Sequence, residues 1–72
     1  MKKAAHWTVI HMTGSGEKAE RILSALREEG FMVSARRMSR AMSGNENDYE
    51  ILCIDSEAKE AHQLLIERGL LL

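Results

Sequence analysis

The stretch Ser43-Gly44-Asn45-Glu46-Asn47-Asp48-Tyr49-Glu50-Ile51-Leu52-Cys53-Ile54 decides the fold. Its first half is turn chemistry without a helical period, and its second half is an apolar run of strand length. A strand reached through a turn pairs antiparallel with the strand before it, because parallel neighbours need a crossover of about a dozen residues or more. That earlier strand is Phe31 to Met38, which puts Phe31, Val33 and Ala35 on one face and Met32, Ser34 and Arg36 on the other. The near-continuous apolar run Ile51-Leu52-Cys53-Ile54 reads as a central strand covered on both sides.

Upstream, Trp7-Thr8-Val9-Ile10-His11-Met12 is β-branched, aromatic and too short for a helix, so it reads as a first strand. Strict alternation places Trp7, Val9 and His11 on one face and Thr8, Ile10 and Met12 on the other. Thr13-Gly14-Ser15-Gly16 breaks that pattern, and from Glu17 the period is helical: Ala19, Ile22, Leu23 and Leu26 share one stripe. Ser15 is the expected N-cap, Glu17 favours the positive helix start and pairs with Arg21, and Gly30 suits the left-handed stop. Downstream, Asp55-Ser56 is expected to cap a second helix running to about Arg68. Its stripe is Ala58, Ala61, Leu64 and Leu65, with Gly69 after it. Leu70-Leu71-Leu72 is long enough for a short edge strand or an apolar contact.

The order is therefore βαββα with a possible short fourth strand. This is an α+β, ferredoxin-like split βαβ arrangement, an antiparallel sheet with two helices on one face. Residues 1–6 are expected to be a flexible tail and residues 7–72 a single domain. Apolar residues fall on both sides of the strands, so the face without helices is expected to keep apolar surface open to a partner.

Composition bounds the function. At 72 residues, with 44% apolar and 29% charged side chains and no Pro, the chain is an ordinary small globular domain, too short for a full dinucleotide or pyridoxal-phosphate fold. A single Cys makes no internal disulfide, and no Cys/His spacing suggests a metal, so self-association is the remaining common way to add buried area. Cys53 reads as a small core residue and His62 as a residue at the boundary of its helix stripe. His6 and His11, five apart, fall on opposite faces if the strand is regular. No Ser/His/Asp arrangement suggests a nucleophile, and no cofactor is expected. Residues 1–40 carry a net +4 and residues 41–72 a net −5, an asymmetry that suits docking of two copies or a charged partner. The acidic half and the lack of an aromatic platform argue against nucleic acid. His6, Thr8 and His11 interrupt any secretory segment after Met1-Lys2-Lys3, and no run has the ~18 apolar residues of a membrane span. The expected setting is cytoplasmic, with Cys53 reduced.

Glu29-Gly30-Phe31-Met32-Val33, Tyr49-Glu50-Ile51-Leu52 and Asp55-Ser56-Glu57-Ala58 followed by Glu60-Ala61 can be read together with Glu17-Lys18-Ala19-Glu20 leading to Ile22 and Leu26. In this combination, from Trp7 to Gly69, the chain resembles a family of very small bacterial domains described as prokaryotic signal-transducing proteins. The resemblance implies a ferredoxin-like βαββα fold, a bacterial cytoplasmic setting and a binding role, with no catalytic residues to carry over. The Thr13 to Gly16 turn and the Arg-rich second strand depart from that family's pattern.

Two clusters are candidate sites. Gly14-Ser15-Gly16-Glu17-Lys18-Ala19 fits G-x-G-x-x-A between a strand and a helix, where backbone N–H groups attract an anion. Thr13, Gly14, Ser15 and Gly16 are thus the candidate ligand-binding residues. Ligand-sensing domains of the ACT type have this topology and bind amino acids beside a glycine in the equivalent turn. A dinucleotide enzyme would need a crossover helix between Met38 and Asp48, which the sequence does not provide. Heavy-metal-associated domains carry a cysteine pair in that first loop, and Met12 to Gly16 has none. Arg36, Arg37 and Arg40 form the second cluster, a charged contact for a partner, or else the cross-hairpin partners of Glu46, Asp48 or Glu50. The leading expectation is a non-catalytic regulatory module working as a homodimer or with a small protein partner. The alternative is a sensor for a small anionic ligand.

Overall fold

A computed structural model of the protein describes residues 6–38 and 48–71. The chain runs β1 (Trp7–Thr13), α1 (Gly16–Glu28), β2 (Val33–Arg37), β3 (Tyr49–Ile54), a 3₁₀ turn (Asp55–Glu57) and α2 (Ala58–Glu67). The three strands form one sheet in the order β1-β3-β2, with both pairs antiparallel. This is the expected α+β split arrangement, and β3 is its central strand.

Local chemistry explains both helices. Ser15 stays extended, and its Oγ accepts from the Lys18 N–H at 3.2 Å, satisfying one of the free donors at the start of α1. All four stripe residues of α1, Ala19, Ile22, Leu23 and Leu26, are buried. The two helices end alike. Gly30 and Gly69 take positive φ, and the N–H groups of Phe31 and Leu70 reach back to Leu26 and Leu65 carbonyls at 3.0 Å each. That is the Schellman stop, which a left-handed glycine permits. The start of α2 differs from expectation. Asp55 and Ser56 lie in the 3₁₀ turn, and no side chain caps the helix. Their region ties the chain to the sheet instead: Thr8 Oγ1 donates to Asp55 Oδ1 at 2.6 Å, and the Met32 N–H donates to Glu57 Oε1 at 3.0 Å.

Both helices cover the same sheet face. The buried core comprises Ala19, Ile22, Leu23 and Leu26 of α1, Val33 of β2, Ile51 and Cys53 of β3, and Ala61 and Leu65 of α2. The backbone envelope is only 15 Å in its thinnest direction, which leaves room for one sheet and one helix layer. The expectation that β3 is covered on both sides therefore holds on one side only. Ile51 and Cys53 are fully buried, whereas Leu52 and Ile54 on the opposite face are half-buried.

A β-bulge corrects the reading of β1. Val9 lies opposite Leu52 and His11 opposite the adjacent Ile51, so Ile10 is an extra residue that packs onto the core. Cross-strand partners share a face, so Trp7, Val9 and Met12 lie with Ile54, Leu52 and Glu50 on the uncovered side. Thr8, His11 and Thr13 lie on the helix side. Regular alternation no longer separates His6 from His11, although five residues at ~3.3 Å each still hold them about 16 Å apart. His6 is also tied to the sheet, accepting from the Asp55 N–H at 2.7 Å. Leu70 and Leu71 lie in the turn after α2 and pack against the core, without forming a strand. Leu72, Arg40, Glu46 and the first five residues fall outside the described residues. Among the described residues, no helix is long and apolar enough to cross a membrane.

Candidate functional site

The two clusters picked out from sequence meet at one end of the sheet. Thr13 of β1, Tyr49 of β3 and Arg37 of β2 are in register across the three strands, on the helix side. The Arg37 guanidinium sits 5.8 Å from the Tyr49 ring centre, a cation–π contact. A Cβ on Gly16 would lie 3.6 Å from the Tyr49 hydroxyl, so the same ring packs against the start of α1. Tyr49 thus joins the Gly14 to Gly16 turn to the Arg-rich strand, a link that their separation in sequence does not announce. Both hydroxyls of the turn are engaged: Ser15 caps α1, and the Ser15 N–H donates to Thr13 Oγ1 at 3.2 Å. Asp48 lies at the turn as well, its carboxylate 3.4 Å from where a Gly14 Cβ would be, and its charge opposes that of an incoming anion.

Arg36 points to the other face. Its Nε and Nη2 donate to Glu50 Oε1 at 2.8 and 2.5 Å, so of the three expected partners the register selects Glu50. Glu50 is only 8% exposed, although no helix among the described residues covers its side of the sheet. Arg36 and Arg37 therefore do not form one basic patch, since successive residues of a strand face opposite ways.

That uncovered face carries the most unusual surface. The exposed large hydrophobics among the described residues are Trp7 at 43%, Val9 at 41%, Met12 at 55%, Met32 at 55% and Ile66 at 50%. The first three lie on the uncovered face by register. Met32 joins them by alternation from Val33, its carbonyl accepting from the Ile54 N–H. With Leu52 and Ile54 between them, they form a contiguous apolar field bordered by Ser34, Arg36 and Glu50.

Three further features bear on chemistry. His11 is half-buried on the helix side; burial first, then the charges of Lys18 and His62, push its pKa below the usual histidine value. Cys53 is fully buried, and burial together with Glu57 raises its thiol pKa, although a backbone hydrogen bond at Ile54 acts the other way. It is a core residue, as expected, and a poor nucleophile. Finally, a groove of about 280 Å³ runs between the end of α1 and α2, lined by Glu29, Phe31, Glu60, Gln63, Leu64 and Glu67. Nothing in the sequence marks it. Glu60, Gln63, Leu64 and Glu67 share a helix face, but glutamates so spaced are ordinary surface. Glu29 is already paired with Arg68 at 2.7 Å. Among the described residues, no group of three or more His, Cys, Asp or Glu side chains is placed to hold a metal ion.

No protein-family model, curated protein or solved structure matches this chain. The resemblance to the bacterial signal-transducing domains rests on the residues quoted for it alone.

Proposed function

We propose that this protein is a non-catalytic binding and regulatory module of the cytoplasm, and that its working part is the uncovered sheet face. The supporting observation is the concentration of exposed apolar side chains there. Of the five large exposed hydrophobics among the described residues, Trp7, Val9, Met12 and Met32 share that face and Ile66 lies elsewhere. Single exposed apolar residues need no explanation, but a contiguous field of them marks a contact surface. Trp and Met are also the side chains enriched at protein interfaces. The family resemblance adds signal transduction as the process served.

The test uses the full chain as bait, with Trp7→Glu and Ile66→Glu variants checked for folding by circular dichroism. A partner protein held by the unsubstituted chain and by Ile66→Glu, but lost with Trp7→Glu, is the expected result. Retention of the same partner by Trp7→Glu overturns the reading.

A second reading, a small-ligand sensor of the ACT type at Thr13 to Gly16, is favoured by one observation: Tyr49 gathers Gly16 and Arg37 around a single ring. It expects amide shifts at Gly14, Ser15 and Gly16 when amino acids or phosphates are titrated in, with Asp48 favouring the former. Dinucleotide chemistry has less support, because both strand pairs are antiparallel and no switch-point crevice forms among the described residues.

A further inference from the structure

We infer that the uncovered sheet face docks onto the same face of a second copy of this chain, burying Trp7, Val9 and Met12 in a twofold, sheet-on-sheet interface. The inference rests on the reading of that face as a docking surface and names its occupant.

Area is the first argument. Taking ~150–250 Å² for a fully exposed side chain of this size, the exposed parts of Trp7, Val9, Met12 and Met32, with half-buried Leu52 and Ile54, amount to about 400 Å² of apolar surface. A standard interface buries about 800 Å² per partner, somewhat more than half of it apolar. The field therefore has the apolar content of one side of a stable dimer, and the strip of Ser34, Arg36 and Glu50 supplies a polar rim.

Charge is the second. A twofold interface sets a surface against itself, so any net charge on it repels its own image. Among the described residues, the charged side chains paired in register on this face are Arg36 and Glu50, of opposite sign and joined to each other, so the ladder brings no net charge to it. An anionic membrane or a nucleic acid would require unpaired Lys or Arg here. The face does not offer them among its described residues.

The central strand is the third. Ile51-Leu52-Cys53-Ile54 is apolar on both of its faces, the pattern of a strand with a layer on each side. The helices supply one layer. A second sheet stacked at ~10 Å supplies the other and covers Leu52 and Ile54.

Trp7 is the sole tryptophan, so its fluorescence reports on this face alone. Sedimentation velocity across a concentration series is run alongside tryptophan emission on the purified full chain. The expected result is a monomer-to-dimer transition accompanied, over the same concentrations, by a blue shift of the emission. Trp7→Glu, and independently Met12→Lys read by sedimentation, weaken association at least about tenfold, with Trp7→Glu nearer thirtyfold, the scale for a tryptophan anchor. Ile66→Glu leaves it unchanged. A chain that stays monomeric to high micromolar concentration overturns the inference. So does a dimer whose Trp7 emission does not move, or one that Ile66→Glu weakens as much as Met12→Lys. These failures leave the docking reading to the bait experiment, which scores other proteins and fails independently.

Discussion

The two faces of this sheet are built from alternate residues of the same three strands, and they have been finished in opposite ways. On the helix side, Ile51 and Cys53 are sealed under Ile22, Leu26, Ala61 and Leu65. On the other side, Leu52 and Ile54 are equally apolar but only half-buried, and Glu50 is held in an ion pair with Arg36. The difference shows that apolarity along a strand does not reveal how many faces its own chain can cover. A domain of this size has helices for one layer, so its second apolar face is left without one.

The comparison breaks most sharply in the core. Leu65→Ala removes a fully buried side chain from the covered face and is expected to cost about 2–5 kcal/mol in urea denaturation, whereas Ile66→Ala next to it changes stability by less than about 0.5 kcal/mol. A loss below about 1 kcal/mol at Leu65 would mean that the helix layer is not the core. On the uncovered face, Arg36→Ala strands a nearly buried carboxylate and is expected to cost about 1–2 kcal/mol, measured on monomer at low concentration. Adding Glu50→Gln should recover most of that loss; a cycle without such coupling would show that the pair is incidental.

The smallest effect is on pH. His11 titrates below its unfolded value, so the unfolded chain binds more protons near pH 6 and stability rises with pH there. Stability is fully present above the unfolded pKa near 6.5 and declines as pH falls through the lower folded value. His11→Gln should flatten the profile between pH 7.5 and pH 5.5, and an unchanged slope would show that His11 is not its source.

What sequence reading recovered follows the range of each interaction. The stripe of α1, its Ser15 cap and the Gly30 and Gly69 stops depend on neighbours within four or five residues, so their spacing announces them. The hairpin direction followed from turn chemistry between Met38 and Tyr49. The faces of β1 did not, because its bulge exists only relative to the register of β3. Asp55 was read as a cap because capping is local; its hydroxyl partner, Thr8, is 47 positions away in the chain. In the candidate site, the Gly14 to Gly16 turn and Arg37 were each visible alone, but their meeting on Tyr49 depends on three strands ending level. The apolar field was partly foreseen, since Met32, Leu52 and Ile54 alternate correctly, while Trp7 and Val9 could be placed beside Met12 only with the bulge known.

Ile10 acts as a phase slip in the strand's wave. Before it, odd-numbered residues look away from the helices; after it, even-numbered ones do. Deleting that single residue would leave a regular strand with every other side chain on its present face, whereas drawing Ile10 into the ladder would swap His11 with Met12 in their sidedness while leaving Trp7 and Val9 in place. An imidazole would then stand in the apolar field, and a thioether would press toward α2. One unpaired position thus sets which chemistry β1 presents to the outside.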